Sequence, residues 1–151
     1  MSSLDLTVLG DSLQSSQGIV SPDTLKGKYI GVYFSAHWCP PCRRFTPTLR
    51  KTYNSLIQQG KNFEIIFVSS DSDLHSFQEY FDSMPWLAIP YDSPARQKLA
   101  SMFNVSSIPT FVMIDPSGAV INLHARDAVE SNPNGFPWVD DGSESYGCSI
   151  F

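Results

Sequence analysis

Two of the chain's three cysteines stand three positions apart in Trp38-Cys39-Pro40-Pro41-Cys42, and the third, Cys148, is fourth from the end. A close thiol pair does one of two kinds of chemistry. Disulfide exchange needs a thiolate to attack, a second thiol near enough to release the mixed disulfide, and enough exposure to meet a foreign sulfur. Structural zinc needs four thiolate or imidazole ligands. For zinc, His37 is adjacent, but His75 and His124 are isolated and there is no second Cys-x-x-Cys. For exchange, Cys39 is placed as the attacking sulfur: between a strand end and a helix start it meets free backbone N–H groups and the positive end of the helix dipole, which favour a thiolate. Cys42, about one helical turn further on and deeper in the helix, is placed as the resolving thiol. Pro40 and Pro41 fix two φ angles and pre-shape the turn. Such an exchange requires no bound cofactor.

Those thiols must be held by a strand and a helix. Tyr29-Ile30-Gly31-Val32-Tyr33-Phe34 is β-branched and aromatic, apolar on both faces, and predicts a buried central strand. From Arg43 to Gln59 the apolar stripe Phe45, Leu49, Tyr53, Leu56, Ile57 predicts a helix closed by Gly60 and kinked at Pro47. Phe63–Val68 reads as a second buried strand, followed by a helix carrying Leu74, Phe77, Phe81 and Met84 that Pro85 ends. Ser93-Pro94 opens a short helix with Leu99, Met102 and Phe103 on one face, ending near Asn104. Thr110–Ile114 and Ala119–Leu123 flank a turn at Asp115-Pro116-Ser117-Gly118 and read as antiparallel strands, so the sheet is mixed. Residues 1–24 read as a loose lead-in with at most short strands. The expected class is α/β, a mixed central sheet flanked by helices, in one domain over residues 25–138. Phe136-Pro137-Trp138 is predicted to dock on that body, and residues 139–151 form an acidic tail.

Composition narrows the partners. The net charge of −5 lies wholly in the last 25 residues, where Asp127, Glu130, Asp140, Asp141 and Glu144 face no Lys or Arg. Such a tail repels phosphates, which argues against nucleic acid. The start Met1-Ser2-Ser3-Leu4-Asp5 lacks a basic, apolar leader, and no run reaches the ~20 apolar residues of a membrane span, so cytoplasmic residence is expected.

The chain resembles the thioredoxin superfamily and, within it, the tryparedoxin and nucleoredoxin branch. The likeness spans about residues 25–138. It rests on Phe34-Ser35-Ala36-His37-Trp38-Cys39-Pro40-Pro41-Cys42-Arg43, on Asn62–Ser69, on Met84-Pro85-Trp86-Leu87-Ala88-Ile89-Pro90-Tyr91, on Ile108-Pro109-Thr110, and on Phe136-Pro137-Trp138. The resemblance implies a thioredoxin fold and a reductase of protein disulfides, working as a monomer and reset by an upstream dithiol or reductase. It also implies a cis peptide at Ile108–Pro109 held against the dithiol, with the Ile108 backbone pairing an incoming substrate chain. Trp38 then shields Cys39 and shapes the docking surface; otherwise it packs the helix start. Arg126 matches the family's arginine after the final strand and, with Ile108 and Asp73, could contact a small-molecule reductant.

Two departures stand out. Thioredoxins carry a buried aspartate six residues before the first cysteine, where this chain has Tyr33, so a carboxylate assisting Cys42 must come from elsewhere; Asp71 is the candidate, or else it caps the next helix. Tryparedoxins, which are reduced by the dithiol trypanothione, carry Trp-Asp-Glu-Glu where this chain has Ser70-Asp71-Ser72-Asp73, a stretch closer to nucleoredoxins. The nucleoredoxin likeness also admits a redox-sensitive binding module in place of an enzyme.

Cys148-Ser149-Ile150-Phe151 has the form of a prenylation signal, its terminal Phe favouring geranylgeranyl. The alternative is a chance tail cysteine. One prenyl chain with neither a basic patch nor a second acylated cysteine gives reversible membrane attachment.

Overall fold

The computed structural model describes residues 4–140, so Cys148 and the rest of the acidic tail from residue 141 lie outside the described residues. Seven strands form one sheet: β1 (Leu13–Ser15), β2 (Gly18–Val20), β3 (Tyr29–Ser35), β4 (Phe63–Ser69), β5 (Leu87–Ala88), β6 (Thr110–Ile114) and β7 (Val120–Asn122). Their order is β2-β1-β5-β4-β3-β6-β7. The centre is parallel across β3, β4 and β5, and both flanks are antiparallel. Strand alternation splits the core in two. Tyr33, Phe67 and Phe111 face one side, packed with α1 (Pro40–Gln58), α2 (Leu74–Phe81) and α4 (Ala125–Ser131). Val32, Phe34, Ile66 and Val112 face the other, under α3 (Ala95–Met102) and the lead-in. Gly31 is required in β3, because a Cβ there would run into the Phe111 ring.

The lead-in is more built than its breaks suggested. Two 3-10 turns, Leu6–Leu9 and Pro22–Leu25, bury Leu9 and Leu25, and the β1–β2 hairpin between them extends the sheet beyond β5. Leu4 N–H donates to the Gly118 carbonyl at 2.6 Å, which ties the start of the chain to the β6–β7 turn. Gly18, at φ 126°, starts β2 after the hairpin turn, and Pro22 opens the second 3-10 turn.

Helix α1 begins at Pro40, three residues earlier than the apolar stripe indicated. Pro40 and Pro41 occupy the first two helical positions, where a missing N–H costs nothing. The helix is continuous through Pro47, which lies on its solvent face while Phe45, Leu49, Tyr53 and Leu56 are buried. Gly60 closes it at φ 80°, its N–H donating to the Ile57 carbonyl while Lys61 N–H reaches the Leu56 carbonyl.

Helix α4 is the element sequence periodicity did not reveal. It opens one residue before Arg126, where the composition turns polar, and only Ala125 and Val129, four apart, carry its buried face. After it, Trp138 packs edge-on against Phe63, Phe111 and Phe136, and its indole N–H donates to the Asn132 carbonyl at 2.8 Å. The Phe136–Pro137 peptide is cis, as is Ile108–Pro109.

Candidate active site

Strand β3 ends at Ser35, and Ala36-His37-Trp38 lead directly to Cys39, the N-cap of α1. Cys39 Sγ accepts the Cys42 N–H at 3.4 Å, so the capping atom is the sulfur itself. Its thiol points at the Ile108 carbonyl, 3.9 Å away, from the loop before β6. Ala36, Cys39, Cys42 and Ile108 form a small apolar cluster of their own at the end of the sheet. Pro109, next to Ile108, is buried, while Pro40 is exposed and Pro41 half-buried as the first two residues of α1. Both thiols are free.

Exposure is less generous than a sulfur meant to meet another protein would suggest. Cys39 is 5% exposed and Cys42 fully buried. The accessible feature is Trp38, 60% exposed beside them, with its indole N–H on the Ser70 carbonyl at 3.4 Å. Cys39 thus lies between exposed Trp38, its chain neighbour, and half-buried Ile108, which packs against it from the loop before β6.

The β3–α1 loop is clamped by the loop after β4. Asp71 is buried; its Oδ1 accepts the His37 N–H at 2.8 Å and its Oδ2 the Ser69 hydroxyl at 2.9 Å. This corrects both readings of Asp71. Its carboxylate is spent on the His37 N–H and the Ser69 hydroxyl, not on Cys42, and the residue that caps α2 is Asp73, which accepts the Ser76 N–H at 2.7 Å. Tyr91 in turn donates to the Asp71 carbonyl, and Arg96 lies over the Tyr91 ring while donating to the Ser69 carbonyl. His37 stacks on Tyr80 with ring centres 5.4 Å apart, its Nδ1 3.8 Å from Glu79.

Burial pushes the Cys42 thiol up, to about 11, helped by the neighbouring Cys39 sulfur and opposed by the Ser35 hydroxyl and the Ala36 N–H. The polar groups beneath Cys42 are hydroxyls. Tyr33, Ser35, Thr46 and Tyr80 form a buried cluster joined by contacts of 2.6 to 3.2 Å. Of these, Thr46 and Tyr80 carried no sequence signal beyond position: Thr46 is one turn after Cys42, and Tyr80 interrupts the Phe77–Phe81 stripe with a hydroxyl.

Arg126 stands apart. It lies in α4 with its Nε 3.7 Å from Glu130 Oε1, one turn on, and nothing among the described residues bonds it to the dithiol. Also among the described residues, no group of three or more His, Cys, Asp or Glu could hold a metal ion, and no helix is long and apolar enough to cross a membrane.

A thioredoxin-like family model matches residues 27–120. Tryparedoxin of Trypanosoma brucei brucei is 44% identical over 131 residues, 84% of this chain and 90% of its own. The chain belongs to the thioredoxin-like family. Human nucleoredoxin is 46% identical over 132 residues, which cover 85% of this chain but 29% of that protein. This thioredoxin-like chain therefore spans less than a third of the nucleoredoxins it matches. Among solved structures, native tryparedoxin I from Crithidia fasciculata superposes with a TM-score of 0.83 at 44% identity, over 89% of this chain and 96% of that one. Tryparedoxin II complexed with glutathionylspermidine gives 0.83 at 36% identity, over 89% and 96%.

Proposed function

We propose that the chain is a thiol-disulfide oxidoreductase that reduces protein disulfides. Cys39 thiolate attacks a substrate disulfide, displacing one substrate thiolate and leaving the other sulfur bonded to Cys39. Cys42 thiolate then attacks Cys39 Sγ, the second substrate thiolate leaves, and the Cys39–Cys42 disulfide carries away the two electrons' worth of oxidation. An upstream dithiol or reductase restores the pair. The observation that carries this reading is Cys39 Sγ at the helix N-cap, 3.4 Å from the Cys42 N–H and 3.9 Å from the Ile108 carbonyl. The Cys42 N–H donates to the sulfur, and the adjacent carbonyl edge can receive an extended substrate segment beside Trp38. Insulin-disulfide reduction with dithiothreitol as donor tests it: the wild-type chain should accelerate precipitation and Cys39→Ser should not. Unchanged turnover in Cys39→Ser removes the reading.

The donor is read as a small-molecule dithiol or a reductase. A tryparedoxin relative bound to glutathionylspermidine supports a cationic thiol of that kind, for which Arg126, Asp73 and Ile108 are the candidate contacts. The catalytic unit is taken as residues 25–138, monomeric, in the cytoplasm. Sedimentation at micromolar concentration checks the monomer.

A second reading, a redox-sensitive binding module, draws support from the 46% identity to human nucleoredoxin. Partner capture that differs between oxidised and reduced chain, without insulin turnover, would favour it. Attachment through a prenylated Cys148 is a separate proposal resting on Cys148-Ser149-Ile150-Phe151 alone. Radiolabelled geranylgeranyl diphosphate should enter the wild-type chain and not Cys148→Ser; no label in the wild type rejects it.

A further inference from the structure

Thiolate chemistry at a buried sulfur needs something to compensate the lost water, and among the described residues no carboxylate does so. The candidates are the four hydroxyls beneath Cys42, whose protons can be counted. Each carries one. The Cys42 carbonyl can only accept, and Thr46 gives it a hydrogen bond at 3.0 Å, with Tyr33 at 3.3 Å. Tyr33 has one proton and lies closer, at 2.6 Å, to the Thr46 hydroxyl, so it donates there in place of the carbonyl. Tyr80 is equidistant, 2.7 Å, from Thr46 and from Ser35. When Tyr33 donates to Thr46, Thr46 to Tyr80 and Tyr80 to Ser35, each of the three shortest contacts holds one proton, the 3.0 Å bond to the Cys42 carbonyl is given up, and the Ser35 proton is released. Its other use, a bond to Tyr33, is the longest in the cluster at 3.2 Å.

We propose that Ser35, with its proton freed by Tyr80, is the positioning residue of the resolving step, donating to the Cys42 sulfur as that sulfur becomes a thiolate, in place of a buried carboxylate. This rests on the reading of Cys42 as the resolving thiol. The hydroxyls act as donors and not as a base. The Cys42 proton leaves to solvent, Cys42 Sγ bonds to Cys39 Sγ, the bond from Cys39 to the substrate sulfur breaks, and the substrate sulfur departs with the electron pair and takes a proton from water. Burial pushes both Tyr33 and Tyr80 upward, so both phenols keep their protons through the working range. The titratable groups around Cys42 are Cys39 on its own turn and Tyr80 and Tyr33 from α2 and β3. One layer out, His37 stacks on Tyr80 and faces Glu79, Asp71 holds the His37 N–H, and Arg43 donates to the His37 carbonyl.

Stopped-flow reaction of the reduced full chain with 5,5′-dithiobis(2-nitrobenzoate) separates the steps, because Cys39 attack releases the first chromophore and Cys42 resolution the second. In Ser35→Ala the second phase should slow about tenfold at pH 7, and its pH midpoint should rise by about one unit, while the first phase keeps its rate. Tyr80→Phe keeps the ring on His37 and removes only the hydroxyl. It should slow the second phase about threefold with the same sign of midpoint shift, and it stands as the test if Ser35→Ala does not fold. An unmoved midpoint in Tyr80→Phe, or both phases slowing equally, overturns the proposal. A wild-type chain with no second phase at all overturns the dithiol reading on which it rests.

Discussion

The two sulfurs of the dithiol sit in surroundings of different construction. Cys39 is bordered by main-chain groups, the Cys42 N–H at its own helix end and the Ile108 carbonyl from the loop before β6, with Trp38 exposed beside it. Cys42 sits on a floor of side-chain hydroxyls drawn from β3, α1 and α2. Backbone groups at a helix start are indifferent to most substitutions around them, whereas the floor depends on four particular side chains meeting in one place. On the proposed division of labour, first attack rests on main-chain groups and resolution on four particular side chains.

The largest expected contrast follows from that division. Cys39→Ser removes the nucleophile and should lower insulin reduction by roughly a thousandfold or more, since no other described thiol caps α1. Cys42→Ser leaves the attack intact and should hold a target protein in a covalent mixed disulfide, visible as a reducible band on gels. Equal loss without trapping in the two variants would mean that the sulfurs do not divide the labour.

Next comes stability. Thr46→Val keeps the shape and deletes the hydroxyl at the centre of the floor, leaving Tyr33, Tyr80 and the Cys42 carbonyl each short of a partner. The expected cost is about 1–3 kcal/mol in urea denaturation, well above that of an exposed Thr-to-Val change. The floor also predicts a pH dependence. An unfolded cysteine ionises near its ordinary value of 9.0, and Cys42 in the fold only near 11, so below pH 9 both states are protonated and the contribution is fully present. Between pH 9 and 11 the unfolded chain ionises first, and the reduced protein should lose stability as pH rises. Cys42→Ala should lose less over the same interval, because the buried tyrosines alone then contribute.

The same contrast separates what could be read from residue order and what could not. The mouth joins two short runs, Trp38 to Cys42 and Ile108-Pro109, and each carries its own local signature, a strand-turn-helix cysteine pair and a proline opening a strand, so the fold and the dithiol are legible along the chain. Pro40 and Pro41, read as shaping the turn ahead of the Arg43–Gln59 stripe, form the first turn of α1, because the rule that prolines break helices does not hold at the first two positions. The floor is non-local. Its most distant bonded pair, Ser35 and Tyr80, is 45 residues apart, and no pattern of apolar residues marks where hydroxyls will converge. Helix α4 escaped notice for a related reason: seven residues with two buried side chains fall below the length at which periodicity is visible.

The smallest effect sharpens the boundary between the two regions. Asp71 belongs to the mouth, holding His37 N–H and the Ser69 hydroxyl with one carboxylate, and Asp71→Asn keeps an oxygen for His37 while Ser69 can rotate to receive the new amide. Only charge assistance is lost, about 1 kcal/mol in denaturation. Since Asp71 does not reach Cys42, the first chromophore phase should slow twofold at most, and the second should keep both its rate and its pH midpoint. A second phase that slows more than the first would place the carboxylate in communication with Cys42. The hydroxyl floor would then be a relay to Asp71, by way of Tyr80 and the stacked His37, instead of a self-sufficient donor set.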